Sequence, residues 1–150
     1  MKSWKSFLTV AAVCVSIHGR AQSLTDLGTL GGNSSVTYGV SADGSVVVGY
    51  SFTGSDYRAF RWSGGVMTNL GTLGGFSIAY GVSADGSVVV GYSDTGSATH
   101  AFRWTGAGGM TDLGHLGGNY SIAYGVSADG SVVVGYSDNA SGAISLRHAF

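Results

Sequence analysis

The sequence predicts an all-β repeat protein built from four-stranded, propeller-like blades of about 43 residues. A fourteen-residue string, YGVSADGSVVVGYS, occurs three times without a change, at 38–51, 80–93 and 124–137. A second element, LGTLGG or LGHLGG, begins at residues 27, 70 and 113, a constant spacing. Self-similarity at a fixed period indicates a repeat architecture, and four antiparallel strands in about 40–45 residues is the size of a propeller blade. No window carries a helical period.

The first two strands of the middle repeat follow from its apolar pattern. Ile78, Tyr80 and Val82 alternate with small residues, which predicts a first strand with one buried face. The β-branched run at 87–92 predicts a second strand that is buried on both faces. Between them an Asp-Gly pair predicts a tight hairpin, because glycine adopts positive φ without steric cost. The structural turns predicted in this way are Asp43-Gly44, Asp85-Gly86 and Asp129-Gly130.

The third strand contains Phe102 and Trp104 on one face, and the more polar stretch 110–116 is predicted to be the fourth strand. The repeated aromatic residues, tyrosines included, are expected to form the core between blades. Glycines inside the second strands predict that another group approaches closely there; they are Gly49, Gly91 and Gly135. A β-solenoid with two rungs per repeat is the alternative, and the tight hairpin favours the blade.

The two ends of the chain do not coincide with repeat boundaries. The segment 24–30 carries the fourth-strand motif and is predicted to be a lone strand ahead of the first repeat. The last repeat stops at His148-Ala149-Phe150, where earlier copies continue with Arg-Trp. We therefore expect an incomplete array, with further repeats in a full-length chain. Pairing of the first strand with the last set is the other arrangement, and it would close three blades where propellers have four to eight.

Residues 1–21 are predicted to be an export signal and not part of the fold. Two lysines precede an apolar stretch at 7–17, and the small residues Gly19 and Ala21 stand where a signal peptidase reads, so cleavage is expected before Gln22. The stretch is shorter than the about 20 residues of a transmembrane helix. An uncleaved anchor is the alternative. Sec-type export would place the protein in the periplasm, at the outer membrane or outside the cell.

Residues 22–150 are expected to form the mature β-repeat domain. This part keeps four arginines and eight aspartates, a formal charge of −4, and it contains no lysine, glutamate or cysteine. An acidic chain without basic clusters gives no electrostatic support for nucleic-acid binding. A secreted domain without cysteine has no disulfides, so its stability must come from packing and hydrogen bonds. No membrane-spanning segment is expected in it.

The combination of DLGTLGG, YGVSADGSVVVGYS and HAFRW resembles the bacterial extracellular HAF repeats, named after the His-Ala-Phe tripeptide. The resemblance covers 24–150. It implies an exported protein, which in some members carries an autotransporter or sorting segment at the C-terminus, and it implies no general biochemical activity. Arg58 departs from the motif, since it replaces the histidine in the first copy.

The sequence gives little support for metal binding or catalysis. The recurring aspartates are assigned to hairpin turns, because a calcium loop needs several oxygen ligands within a few residues. His100 and His148 are repeat-equivalent and would lie in different blades, and His115 stands alone in the fourth strand, so a zinc site is not predicted. No nucleophile–base spacing and no G-x-S-x-G turn is present. We therefore predict no catalytic residue, no metal and no cofactor.

Partner binding is expected at one end of the blades, where the copies differ. Variable loops on a rigid frame are where recognition usually resides. The candidate binding residues in these loops are Asn33, Phe52, Asp56, Tyr57, Phe76, Asp94, Thr99, Asn119, Tyr120, Asp138 and Asn139.

These observations predict an exported, non-enzymatic β-repeat module of a bacterial surface or secreted protein, acting as an adhesive or binding scaffold for an extracellular ligand, protein or glycan. A carbohydrate-binding or hydrolytic propeller is one alternative. A non-functional fragment of a longer autotransporter-like gene is the other.

Overall fold

The computed structural model describes residues 24–139 and 146–150, which form eleven β-strands. The predicted export signal at 1–21 lies outside the described residues. Across the two described ranges, no helix is long and apolar enough to cross a bilayer.

The strands form three antiparallel sheets that follow one another along the chain. Sheet 1 contains β1 (Ser35–Val40), β2 (Val46–Phe52), β3 (Tyr57–Ser63) and β4 (Val66–Asn69). Sheet 2 contains β5 (Ser77–Val82), β6 (Val88–Asp94), β7 (Thr99–Thr105) and β8 (Gly109–Asp112). Sheet 3 contains β9 (Ser121–Val126), β10 (Val133–Asn139) and β11 (Leu146–Ala149). In each sheet, strands that are consecutive in sequence are neighbours, so the predicted all-β fold of up-and-down, propeller-like sheets is confirmed.

The hairpins between the first and second strands are closed by the Asp-Gly pairs. Gly86 has a φ of 72°, a backbone angle that residues with a side chain rarely adopt. The carboxylate of Asp85 accepts hydrogen bonds from the Ser83 hydroxyl at 2.6 Å and from the backbone N–H of Ser87 at 3.0 Å. The turns at Asp43-Gly44 and Asp129-Gly130 have the same geometry. Each turn therefore satisfies its aspartate locally.

The core lies between successive sheets. We call the face of a sheet that points toward the next sheet its front face, and the opposite face its back face. The front face of sheet 1 buries Val46, Val48 and Ala59 against Ala79 and the rest of the back face of sheet 2. The front face of sheet 2 packs in the same way on sheet 3, through Val88, Val90, Ala101 and Ala123. In both interfaces the first strand of the later sheet lies against the earlier sheet.

The prediction of which face of the first strand is buried is wrong. In β5 the fully buried residues are Ser77 and Ala79, whereas Ile78 and Tyr80 are half-buried. The pairing of β5 with β6 shifts register between Ala79 and Gly81, which marks a β-bulge. Only small side chains fit where β5 lies against sheet 1, so the larger residues point away from that contact.

The predicted fourth strands are also corrected. The fourth strand of sheet 2 ends at Asp112, and the rest of the predicted stretch 110–116 is a loop. Residues 24–30 form no strand. They lie against sheet 1, where the Leu30 N–H donates to the Ser51 hydroxyl at 2.9 Å and the Ser35 hydroxyl donates to the Gly28 carbonyl at 2.8 Å. A fourth strand needs a third strand as its neighbour, and no strand of the described ranges pairs with this segment.

The close approach predicted at the glycines inside the second strands is confirmed. A Cβ atom on Gly91 would overlap the carbonyl oxygen of Ile78 and the Cα of Ala79 on the neighbouring strand. The same overlap would occur at Gly49 and Gly135. Glycine is required here because the bulged first strand passes too close for any side chain.

Buried serines connect each sheet to its neighbour. The Ser77 hydroxyl accepts a hydrogen bond from the Ala59 N–H of sheet 1 at 2.9 Å and donates to the Gly71 carbonyl at 2.6 Å. The same arrangement recurs between sheets 2 and 3 with Ser121, Ala101 and Gly114. Each serine thus satisfies a buried N–H that has no strand partner.

Candidate binding surface

All eight tyrosines of the sequence lie in one continuous set of contacts, which we call the tyrosine array. Adjacent ring centroids are 4.9–6.0 Å apart, within the range of favourable aromatic pairs. The members are Tyr38, Tyr50, Tyr57, Tyr80, Tyr92, Tyr120, Tyr124 and Tyr136. The array therefore runs across all three sheets.

The repeat itself builds the centre of the array. Tyr38, Tyr80 and Tyr124 occupy equivalent positions on the first strands, and each ring contacts the next sheet's ring, at 4.9 Å and 5.2 Å. The tyrosines of the second strands pack against them from the same sheets. Because first strands contact one another from sheet to sheet, one tyrosine per repeat becomes a row.

The array extends into the loops that the sequence singled out for partner binding. Phe52 and Tyr57 close the hairpin between β2 and β3, and the Tyr57 ring lies 5.3 Å from that of Tyr50. Phe76 lies 5.9 Å from Tyr92, and Tyr120 lies 6.0 Å from Tyr136. The four aromatic residues among the predicted loop residues thus join the repeated tyrosines.

The polar loop residues have different positions. Asn33, Asp56 and Asn119 are exposed. Thr99 forms a parallel bridge with Tyr120, and its N–H donates to the Asn119 carbonyl at 3.1 Å, which ties the loops of sheets 2 and 3 together.

Two of the predicted aspartates are engaged with neighbouring groups. Asp94 accepts a hydrogen bond from the Gly96 N–H at 2.5 Å. Asp138 lies 3.8 Å from the Arg147 guanidinium, and Asn139, at the end of β10, is half-buried. The Asp94 carboxylate is thus held within its own loop.

The expectation that the repeated tyrosines form the core is wrong. Phe60 and Phe102 are fully buried, as expected, but Tyr38 and Tyr124 are 50 % and 51 % exposed. Tyr50 lies on the same face of β2 as the buried Val46 and Val48, one position nearer the loops. The valines fill the interface between sheets, and the tyrosines lie at its margin, where they are half-buried or exposed.

The more buried tyrosines of the array have a pKa above the ordinary value of tyrosine. Burial raises the pKa of Tyr136 to about 12, and it also raises the pKa of Tyr80 and of Tyr92. The Arg147 guanidinium lies 4.8 Å above the Tyr136 ring, a cation–π distance. The surface therefore offers flat apolar ring faces with neutral hydroxyl donors and acceptors, which suits stacking on apolar or sugar-like groups.

A histidine–carboxylate pair that the sequence did not lead us to expect lies away from the array. His100 Nδ1 is 2.8 Å from the Asp112 carboxylate, and the His115 ring is 5.0 Å from the His100 ring. Burial by itself would raise the pKa of Asp112, but the hydrogen bonds from His100 and from the Gly114 N–H lower it overall. Across the described ranges, no three histidine or carboxylate side chains come close enough to hold a metal ion.

The signal for this pair was present in the repeats. The second copy combines His100 with Asp112, whereas the first copy carries Arg58 and Asn69 at the equivalent positions. Residues that change together between copies indicate contact.

The turn aspartates remain ionised. Hydrogen bonds from the Ser83 hydroxyl and from Ser87 lower the pKa of Asp85 to about 2, and serine donors do the same for Asp43 and Asp129. A general acid requires a raised pKa, so these carboxylates suit a structural role.

No family model and no curated protein matches this chain. Among solved structures it is similar to TolB from Acinetobacter baumannii, with a TM-score of 0.55 and 12 % sequence identity over 77 % of this chain and 29 % of that chain. TolB is a β-propeller, so the likeness confirms the propeller type of fold predicted over a solenoid. The chain spans less than a third of the TolB chain that it matches.

Proposed function

We propose that this chain is an exported, non-enzymatic β-repeat module of a bacterial surface or secreted protein, and that it acts as an adhesive binding scaffold. The tyrosine array carries the proposal. The charged leader-like segment at 1–21 and the resemblance to HAF repeats support export and surface location.

The array has the properties of a recognition surface. Its rings are held on strands of neighbouring sheets, so little conformational entropy is lost on binding. Tyrosine offers a large rigid contact area together with a hydroxyl, and tyrosines are concentrated at binding sites for that reason. The loops beside the array differ between copies, which provides a means of selecting a partner.

The state of five of the eight aspartates supports a non-enzymatic role. Three are bound in hairpin turns, Asp112 pairs with His100, and Asp94 accepts from its own loop. Acid–base catalysis would need a carboxylate free to exchange a proton near neutral pH.

The test is adhesion of bacterial cells that display the full chain to layers of epithelial or bacterial cells. We expect the double variant Tyr38→Ala/Tyr124→Ala to reduce adhesion by at least about tenfold, since each truncation removes a half-exposed ring from the centre of the array. Val66→Ala is the matched control, because Val66 is also exposed and lies in β4, outside the array. Adhesion that the double variant leaves unchanged would refute the proposal.

Carbohydrate binding is the second candidate, and the exposed ring faces of Tyr38 and Tyr124 favour it. Aromatic faces stack on the apolar faces of sugar rings while hydroxyls pair with their OH groups. A glycan array probed with the full chain distinguishes the two: a glycan bound by the wild type and lost in the double variant indicates a lectin-like scaffold. Release of free sugar from that glycan would instead indicate the hydrolytic alternative.

A further inference from the structure

Sheet 3 has an uncovered outer edge and a cavity beside it. β11 is its outer strand in the described structure, whereas β4 and β8 cover the third strands of the other sheets. A cavity of about 330 Å³ opens at this edge. Its lining residues are Leu113, Gly114, His115, Leu116, Val133, Ser137 and Phe150.

The interface between sheets 1 and 2 shows which side chains fill the place that corresponds to this cavity. Between sheets 1 and 2, Leu70 is 5 % exposed, and Met110 of β8 packs against the same core cluster. Between sheets 2 and 3, the equivalent Leu113 is 41 % exposed and Leu116 is 50 % exposed. The cavity therefore lies where a fourth strand of sheet 3 would place an apolar side chain.

The segment 24–28 has the sequence of that strand. It reads Leu-Thr-Asp-Leu-Gly, whereas β8 and the residues after it read Met-Thr-Asp-Leu-Gly at 110–114. Leu24 takes the position of Met110, and its side chain is fully exposed. Asp26 takes the position of Asp112, and His148 in β11 takes the position of its partner His100.

The hydrogen-bonding groups also match. In sheet 2 the Ala101 carbonyl accepts from the Leu113 N–H at 2.9 Å, and the Ala101 N–H donates to the Ser121 hydroxyl. Ala149 is the equivalent residue of β11. Its partners by equivalence are Leu27 and Ser35, which are already held together because Ser35 donates to the Gly28 carbonyl, as Ser121 does to Gly114.

The exposed front of sheet 3 and the exposed back of sheet 1 correspond to the two faces that meet in the other interfaces. Val132 and Val134, at the front of sheet 3, are 55 % and 50 % exposed, whereas their equivalents in sheets 1 and 2 are buried. The back of sheet 1 carries a groove of about 340 Å³ lined by 25, 27, 37–40 and 47. Front and back faces are the two halves of the interface that the chain already uses twice.

We infer that residues 24–30 of a second copy of this chain add to β11 as the fourth strand of sheet 3, while sheet 1 of that copy covers the front of sheet 3. Within one copy, sheet 2 lies between sheets 1 and 3, so that copy's own segment 24–30 does not lie beside β11. The contact is head to tail, and we take two copies as the smallest closed assembly, in which each copy donates one segment and accepts one. The inference does not depend on the proposed function, but Tyr38 belongs to both, since it lines the groove on sheet 1; the Tyr38→Ala/Tyr124→Ala variant is therefore measured for mass as well as for adhesion.

The first test is the mass of the full chain in solution, by sedimentation velocity over a range of concentrations. We expect twice the mass of one chain for the wild type and the mass of one chain for Leu24→Asp, which places a charge in the apolar cavity. Val66→Asp is the matched control, since Val66 is 63 % exposed on the outer edge of sheet 1, and we expect it to keep the double mass. A wild type of single mass, or a Leu24→Asp variant of double mass, overturns the inference.

The second test exchanges the proposed ion pair. His148→Asp sets two carboxylates against each other, and we expect it to raise the dissociation constant by at least about tenfold. Adding Asp26→His restores an opposite pair in reversed order, and we expect association to return. Both side chains are exposed in one copy, so each variant folds as the wild type does, which circular dichroism checks. Association that is insensitive to His148→Asp, or is not restored by the exchange, contradicts the placement of the strand.

Discussion

Gly91→Ala should destabilise the fold far more than an alanine at an open glycine. Gly91 is buried in the middle of β6, opposite the bulge in β5. The added Cβ would overlap the carbonyl oxygen of Ile78 and would lie 2.8 Å from the Cα of Ala79. Both obstacles are backbone atoms, so neither can rotate away as a side chain would.

The size of the stability loss depends on which atoms must move to make room for the added Cβ. Inserting one carbon into a well-packed interior costs about 1–3 kcal/mol when side chains adjust. Here β5 itself must move, and β5 also holds Ala79 against sheet 1, so we expect a loss of about 3 kcal/mol or more. For a domain of this size that lowers Tm by roughly 10 °C.

Gly106→Ala is the matched control. No atom lies within 4 Å of the position where its Cβ would be, and its φ is compatible with a side chain. The expected change is between zero and a gain of about 1 kcal/mol, from the lower entropy of the unfolded chain. Urea unfolding followed by tryptophan fluorescence measures both variants. A Gly91→Ala variant within about 1 kcal/mol of the control would refute the steric reasoning.

Two further predictions concern the hydrogen-bonded serines and the turns. Ser121→Ala removes the acceptor of the buried Ala101 N–H and the donor to Gly114, so we expect a loss of about 2–4 kcal/mol in urea unfolding, and a loss below about 1 kcal/mol would contradict the role of this serine. The turn carboxylates have a pKa of about 2 in the folded chain, below the 3.8 of a free aspartate, so their stabilisation is fully present above about pH 4 and is lost as the pH falls toward 2. The urea midpoint should therefore fall over that range, and a constant midpoint would exclude a contribution from Asp43, Asp85 and Asp129.

The fold could be predicted because the strands and turns of each repeat are determined by residues that are close together in the sequence. The Val-Val-Val runs, the Asp-Gly turns and the glycines at 49, 91 and 135 have local physical causes, and the structure places them in the predicted elements. The fourth strands were harder to predict. Each fourth strand pairs with the third strand over only four residues, 66–69 in sheet 1 and 109–112 in sheet 2, because the chain then turns to reach the next sheet.

The binding surface was only half predictable. Sequence differences between copies predicted partner binding at the loops, including Phe52, Tyr57 and Phe76. The tyrosines were assigned to the core because repetition and aromatic character are equally typical of packed residues. Their exposure depends on where the interface between sheets ends, one position beyond Val48 on β2. Periodicity along one strand carries no information about that boundary.

The sequence by itself determined the period, the strands, the turns and the glycines, since each depends on residues near one another in the chain. Only the tertiary structure decided which faces meet. It brought one tyrosine from each repeat into a row, paired His100 with Asp112, and left the front of sheet 3 and the Leu24 side chain exposed. The physical reason is that a sheet buries its second face only against a neighbour. The arrangement of neighbours is a property of the assembled sheets, and no single repeat encodes it.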